Sequence, residues 1–326
     1  MKYSSLILLA LLVLAGCTST QRQVIATNDD FIVLQASDGD TYSSLANEFL
    51  GGQQYSEIIQ RYNPDMALEA GSYVAIPQRS LNRSGVFTNG YQRVPVLCYH
   101  QFTEKNTSDN KMVVTRSEFE SQMAYLADNG YQVFSLSELA SFISGKKELP
   151  LKSVVITIDD GYKSYLEIAY PILKKYNFPS TMFVYPDFIG AGLALKWKDV
   201  KYLSKSPLVD IQSHSKTHDS LQPLPSGETD KDYLARLKVE VEGAEKILSH
   251  RTDQRINHFA YPYGNSSLEI IELLKKNDYE LAVTVHKGSN PSFAAPFLLH
   301  RTMIYGGDSL NTFKRSLNVF SAVVLK

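Results

Sequence analysis

The chain has 326 residues, 44% of them hydrophobic and 21% charged, which fits folded globular structure with room for one large domain and one small one. Its 33 basic and 34 acidic side chains leave a formal charge of −1, so there is no basic field to hold nucleic acid. Two cysteines, Cys17 and Cys98, exclude a disulfide framework, and Cys98, inside the apolar run Val94 to Tyr99, reads as a small core hydrophobe.

The N-terminus places Lys2 before an apolar run from about Leu6 to Ala15, the pattern of an export signal and too short for a membrane span, which needs roughly 20 apolar residues. The tetrad Leu14-Ala15-Gly16-Cys17 resembles the bacterial lipoprotein cleavage box. That resemblance implies that residues 1–16 are a signal peptide, that Cys17 is acylated, and that the exported chain is held at a membrane through its lipid. Thr18 after the cysteine points to the outer membrane, periplasmic side, if the cell is Gram-negative.

From Phe31 to Pro77 the pattern runs strand, two helices, strand. Asp38-Gly39-Asp40-Thr41 supplies a turn and helix cap, Leu45, Ala46 and Phe49 follow at helical spacing, and Ile58, Ile59 and Tyr62 mark a second helix. This βααβ unit resembles a LysM module, through Gly39-Asp40-Thr41, Leu45-Ala46, Tyr62-Asn63-Pro64, Gly71 and Val74-Ala75-Ile76-Pro77. The resemblance implies binding of N-acetylglucosamine-containing chains. Residues 78–92, polar and aperiodic, read as a linker.

The remaining segment, 93–326, has the size of one barrel. Apolar runs at Val94 to Tyr99, Val154 to Ile158, Ser180 to Tyr185, Val209 to Gln212, Ile256 to Ala260 and Glu280 to Val285 alternate with helical patterns. That alternation predicts an α/β fold, a distorted (β/α) barrel of parallel strands with crossover helices.

Polar groups gather just after these runs: His100 after the first, Asp159-Asp160-Gly161 after the second, His214 and His218 after the fourth, Tyr261-Pro262-Tyr263-Gly264 after the fifth. In a parallel barrel such strand ends converge on one face. Adjacent carboxylates on an extended chain point to opposite sides, so one can ligate a metal while the other faces substrate. His214 and His218, four apart, add two imidazoles on one face, and with one aspartate they make a three-ligand set with open positions, as in a catalytic metal site.

Three motifs, Thr157-Ile158-Asp159-Asp160-Gly161, His214-Ser215-Lys216-Thr217-His218 and Tyr261-Pro262-Tyr263-Gly264, resemble those of the polysaccharide deacetylase (NodB-homology) domain of family-4 carbohydrate esterases. The resemblance implies Asp159 as general base, Asp160, His214 and His218 as ligands of a divalent metal, most readily Zn²⁺, and the Tyr263 backbone N–H as an oxyanion donor. It implies metal-dependent removal of N-acetyl groups from peptidoglycan or a poly-N-acetylglucosamine exopolysaccharide. For the general acid, His300 matches the family's usual late position. The run Leu97-Cys98-Tyr99-His100-Gln101-Phe102 resembles instead the permuted subgroup that includes poly-N-acetylglucosamine deacetylases, and His100 is preferred. The arginine that many members carry before the third motif is absent, leaving Arg301 as a candidate partner of Asp159, and Trp197, the single tryptophan, either lines a sugar subsite or packs. Alternatives are a non-catalytic wall-binding protein and a deacetylase of O-acetyl or non-sugar substrates.

Overall fold

The computed structural model describes residues 22–64, 66–78, 82–105, 109–223 and 227–323. The signal peptide, 1–16, and Cys17 lie outside the described residues. The chain divides into two compact units, with the boundary between residues 81 and 82.

In the smaller unit, β1 (Val24–Thr27) and β2 (Phe31–Gln35) precede α1 (Tyr42–Phe49) and α2 (Ser56–Tyr62), and β3 (Tyr73–Pro77) closes an antiparallel sheet of order β1-β2-β3. The expected βααβ order is present, extended by the exposed edge strand β1. Thr41 caps α1 reciprocally with Ser44, and Gly39 takes φ +81° in the turn before it. Leu34, Leu45, Ala46, Ile59, Val74 and Ile76 form a dry core. Asn63 fastens α2 to β3: its buried side chain donates to Ile59 O (2.7 Å) and Ala75 O (2.8 Å) and accepts from Ala75 N (2.9 Å).

The larger unit opens with a hairpin, β4 (Val86–Phe87) and β5 (Gly90–Gln92), within the segment read as linker. That reading is corrected here, for β5 also pairs with the last strand of the chain over more than two hundred residues, a contact no local pattern announces. There follow β6 (Val94–Tyr99), β7 (Gln101–Thr103), β8 (Val113–Thr115), α3 (Arg116–Asp128), β9 (Gln132–Phe134), α4 (Leu136–Ile143), β10 (Ser153–Asp160), α5 (Tyr170–Tyr176), β11 (Ser180–Val184), α6 (Trp197–Leu203) and β12 (Val209–Ser213). Then come α7 (Asp230–Thr252), β13 (His258–Ala260), α8 (Leu268–Lys276), β14 (Leu281–Val283), β15 (Ser289–Asn290), β16 (Thr302–Met303), α9 (Leu310–Ser316) and β17 (Phe320–Ala322).

The parallel strands run β14-β13-β12-β11-β10-β6, and β16 adds in parallel to β6. A bridge from Val283 to Leu299 links the two ends of this curled sheet, giving the distorted barrel. Alternation along each strand sorts two cores. Val94, Val96, Val155, Phe183, Val283 and Leu299 face inward, while Leu97, Ile156, Ile158, Ile211 and Phe259 face outward onto the helices. The inward series of β6, β10 and β16 continues upward as Cys98 and His100, Thr157 and Asp159, and Arg301 and Met303.

Candidate active site and metal centre

At the barrel mouth, Asp159 and Arg301 form a buried ion pair: Arg301 Nη1 donates to Oδ1 and Nη2 to Oδ2, both at 2.7 Å. Arg301 is wholly shielded and Asp159 is 1% exposed. Arg301 is fixed further by donating through Nε to Thr284 O (2.9 Å) and through Nη1 to Thr157 Oγ1 (3.2 Å). Burial alone would raise the Asp159 carboxyl, but the guanidinium outweighs it and holds Asp159 well below the ordinary carboxylate range. The arginine missing from the third motif is thus replaced by one from β16's approach. The expected role of Arg301 as partner of Asp159 finds its geometry here, and a surface charge is excluded.

Asp160 does not simply alternate with Asp159. Its φ of +77° turns the chain off the strand, which brings Oδ1 to 3.7 Å from His214 Nε2 and 3.6 Å from His218 Nε2. His214 Nδ1 bonds Ala260 O at 2.8 Å, so Nδ1 carries the proton and Nε2 presents its lone pair to the site. The histidine spacing works through a bend rather than a helix. Ser215 (φ +63°) and His218 (φ +67°) are left-handed, and His218 N donates to Ser215 Oγ at 3.0 Å. The buried Glu240 of α7 clamps this bend, accepting from Lys216 N and Thr217 N at 2.9 Å each and from Thr217 Oγ1 at 2.9 Å.

Seven non-glycine residues have positive φ among those described. Asn177, Asp253 and Asp278 stand at helix C-termini, where such residues tolerate it. The other four, Asp160, Ser215, His218 and Tyr263, all lie in the site, where the surrounding packing holds the strain.

Among the described residues, two groups could hold a cation by proximity: Asp160, His214 and His218, and Cys98, His100 and Asp159, each with ligand atoms within 4.8 Å of one another. Their chemistry separates them. In the second, Arg301 already neutralises Asp159, and burial keeps the Cys98 thiol protonated, its pKa well above the usual value. In the first, burial pushes His214 down to about 3, keeping the imidazole neutral. Burial and the charge of Asp159 push Asp160 up to about 7, the state of a carboxylate short of a positive partner. Two neutral imidazoles and such a carboxylate fit a divalent cation, which would itself reverse the Asp160 shift.

His100 stands beside Asp159 and Cys98, and its buried Nδ1 has no hydrogen-bond partner among the described residues. Burial lowers its pKa while the Asp159 carboxylate works against that. His300, the alternative acid, is directed away: it is exposed beside His286, and its main chain bonds the Asn290 side chain. Tyr263 (φ +58°) places an exposed ring edge-on to His218 at 4.9 Å. Trp197, considered for a sugar subsite, packs instead in the helix layer, where Arg251 of α7 stacks 5.2 Å over its ring.

Sequence reasoning missed two residues. Cys98 does more than fill space, since its thiol donates to Asp159 Oδ2 at 3.4 Å. The signal was available in the spacing, because Cys98 precedes His100 by two and so shares its face. Glu240 could be found only as an acidic residue on the buried stripe of Leu237, Val241 and Ala244.

Residues 146–282 match the family model described as Polysaccharide deacetylase. YxkH of Bacillus subtilis (strain 168), assigned by name to the polysaccharide deacetylases, is 29% identical over 221 residues, 68% of this chain and 75% of that protein. The poly-beta-1,6-N-acetyl-D-glucosamine N-deacetylase of Escherichia coli (strain K12) is 25% identical over 256 residues, covering 68% of this chain and 38% of that protein's length. Among solved structures, the deacetylase PplD of Streptococcus pyogenes superposes with a TM-score of 0.62 at 23% identity, over 69% of this chain and 98% of that one. IcaB from Ammonifex degensii gives 0.60 at 24%, over 70% and 96%. The match over residues 146–282 and these likenesses make the larger unit similar to polysaccharide deacetylases in sequence and in fold.

Proposed function

We propose that the larger unit hydrolyses the N-acetyl groups of an N-acetylglucosamine-containing polysaccharide and releases acetate. The observation that carries this reading is the juxtaposition of a charge-fixed carboxylate, Asp159, with a separate Asp-His-His set. Asp160, His214 and His218 would hold a divalent cation, for which Zn²⁺ suits the nitrogen and oxygen donors, and which when bound would supply Lewis acidity and acidify water. Asp159, held ionised and immobile by Arg301, takes the proton of the attacking water. The two bonds from Arg301 keep the Asp159 carboxylate ionised and oriented, and so available to accept that proton. The Tyr263 N–H faces the oxygen that becomes negative, a type of contact worth about 2.7–4 kcal/mol in the transition state. His100, beside Asp159, donates a proton to the departing amine.

The smaller unit, by its βααβ form, serves in this reading as a LysM-type glycan-binding module, and Cys17 as a lipid attachment site at the cell envelope. The test of the central reaction is acetate release from N-acetylglucosamine oligomers beside an O-acetylated glycan. Release from the amide substrate, lost on chelation and restored by Zn²⁺, is expected. Release from the ester alone would overturn the amide assignment.

A further inference from the structure

A cleft of about 350 Å³ lies where the chain leaves β14 and β16, bounded by Val285, Lys287, Met303, Tyr305, Asp308 and Arg315. Two contacts place it at the barrel mouth. A Cβ on Gly264 would lie 2.5 Å from Val285 Cγ2, so Val285 packs directly against the Tyr263–Gly264 turn. On the other side, Met303 pairs with Cys98, and Ile304 N donates to Cys98 O at 2.9 Å. Met303 therefore continues the inward series that Arg301 begins beneath Asp159, and Tyr305 follows just beyond the strand. A polymer unit next to the one at the metal centre would meet this wall.

The charges of the cleft are distinctive. Lys287 and Arg315 are exposed, and among the described residues neither is ion-paired; Arg315 Nη2 donates only to Thr312 Oγ1, at 3.1 Å. The one carboxylate in the lining, Asp308, is engaged by the Tyr305 backbone N–H at 3.3 Å. Two cations against one acid leave a single positive charge, which suits one carboxylate better than a dianionic phosphate. The half-exposed Tyr305 ring adds an amphipathic face of the kind that lies against a sugar.

We propose that this cleft is a subsite for a carboxylate carried beside the N-acetylglucosamine unit undergoing deacetylation, so that acidic, carboxylate-bearing glycans are preferred over neutral homopolymers. The inference rests on the deacetylase reading and narrows its substrate class. A partly deacetylated homopolymer, being cationic, would be repelled at this wall.

The test compares the protein on three substrates: glycan chains alternating N-acetylglucosamine with N-acetylmuramic acid bearing free carboxylates, the same chains with the carboxyl amidated, and chains whose carboxyl carries a peptide with its own acid groups. A charge-assisted contact predicts a KM roughly tenfold lower for the free acid than for the amide. The peptide arm shows which carboxylate is read. In Lys287→Met/Arg315→Met the ratio of kcat/KM for acid over amide should fall toward one, and Lys287→Glu should invert it. Calorimetric binding of the same glycans to the Asp159→Asn variant reads the subsite without turnover. Acetate release with equal affinity for acid and amide would overturn the subsite and leave the deacetylase standing. Charge-dependent binding without any acetate release by the native protein would uphold the subsite and overturn the deacetylase.

Discussion

Replacing Arg301 with methionine removes the charge, while keeping an extended side chain, at a position wholly shielded from solvent. The variant loses both 2.7 Å bonds to Asp159 and the bonds to Thr284 and Thr157, leaving Asp159 with the Cys98 thiol as its one hydrogen-bond donor among the described residues. Breaking a buried pair from one side in this way costs about 3–5 kcal/mol. The sign with pH follows from the direction of the shift. Native Asp159 sits far below its unfolded value, so the pair's stabilisation is present above roughly pH 4 and is lost as pH falls toward the folded pKa. In the variant, burial dominates and Asp159 moves above its unfolded value, so its carboxyl accepts a proton readily. The deficit relative to wild type is therefore largest at neutral pH and narrows as the pH drops through roughly 5 to 3. Urea unfolding of metal-free protein, followed by tryptophan fluorescence, measures this unit alone, because Trp197 is the single tryptophan and lies in it. Adding Asp159→Asn to Arg301→Met should recover part of the loss. A deficit under about 1 kcal/mol at pH 7, the scale of an exposed pair, would refute the reasoning.

Three further outcomes are expected. His214→Ala or His218→Ala should abolish stoichiometric zinc binding, and Glu240→Ala, which frees the bend carrying His218, should weaken it by about 10–100-fold; metal analysis after dialysis measures both, and unaltered zinc content in the histidine variants would remove them from the ligand set. In Asp159→Asn the His100 imidazole should titrate at lower pH than in wild type, since the carboxylate opposes the burial that depresses it; histidine proton resonances followed by NMR in metal-free protein decide this, and an upward shift would separate the two residues. Gly264→Ala, at φ +75° with its Cβ 2.5 Å from Val285 Cγ2, should destabilise by about 1–3 kcal/mol through overpacking alone, and an unchanged unfolding midpoint would contradict the packing described for this turn.

The barrel strands were legible as apolar runs, four of the six with polar groups just after them, and β6, β10, β11 and β12 fall within a few residues of the expected spans. Asp160, His214 and His218 were legible for the same reason, as strand-end residues that parallel topology must gather. What the sequence hid depends on long-range geometry. The strands β4, β5 and β17 are two or three residues long and owe their pairing to one another rather than to local pattern. Arg301 could be named only as a candidate partner of Asp159, because its burial is set by the closure of β16 onto β6, which no spacing records. The four-residue interval between His214 and His218 does not by itself distinguish a helical turn from a bend clamped by a distant glutamate.

The account stands most directly on acetate release from N-acetylglucosamine oligomers by wild type and Asp159→Asn, each assayed metal-free and after zinc reconstitution with bound zinc quantified in the same samples. The prediction is release by zinc-loaded wild type alone, with Asp159→Asn binding zinc normally yet slowed by about 10²–10⁴-fold, the usual contribution of a general base. Full activity in Asp159→Asn, or undiminished release by metal-free wild type, would contradict it.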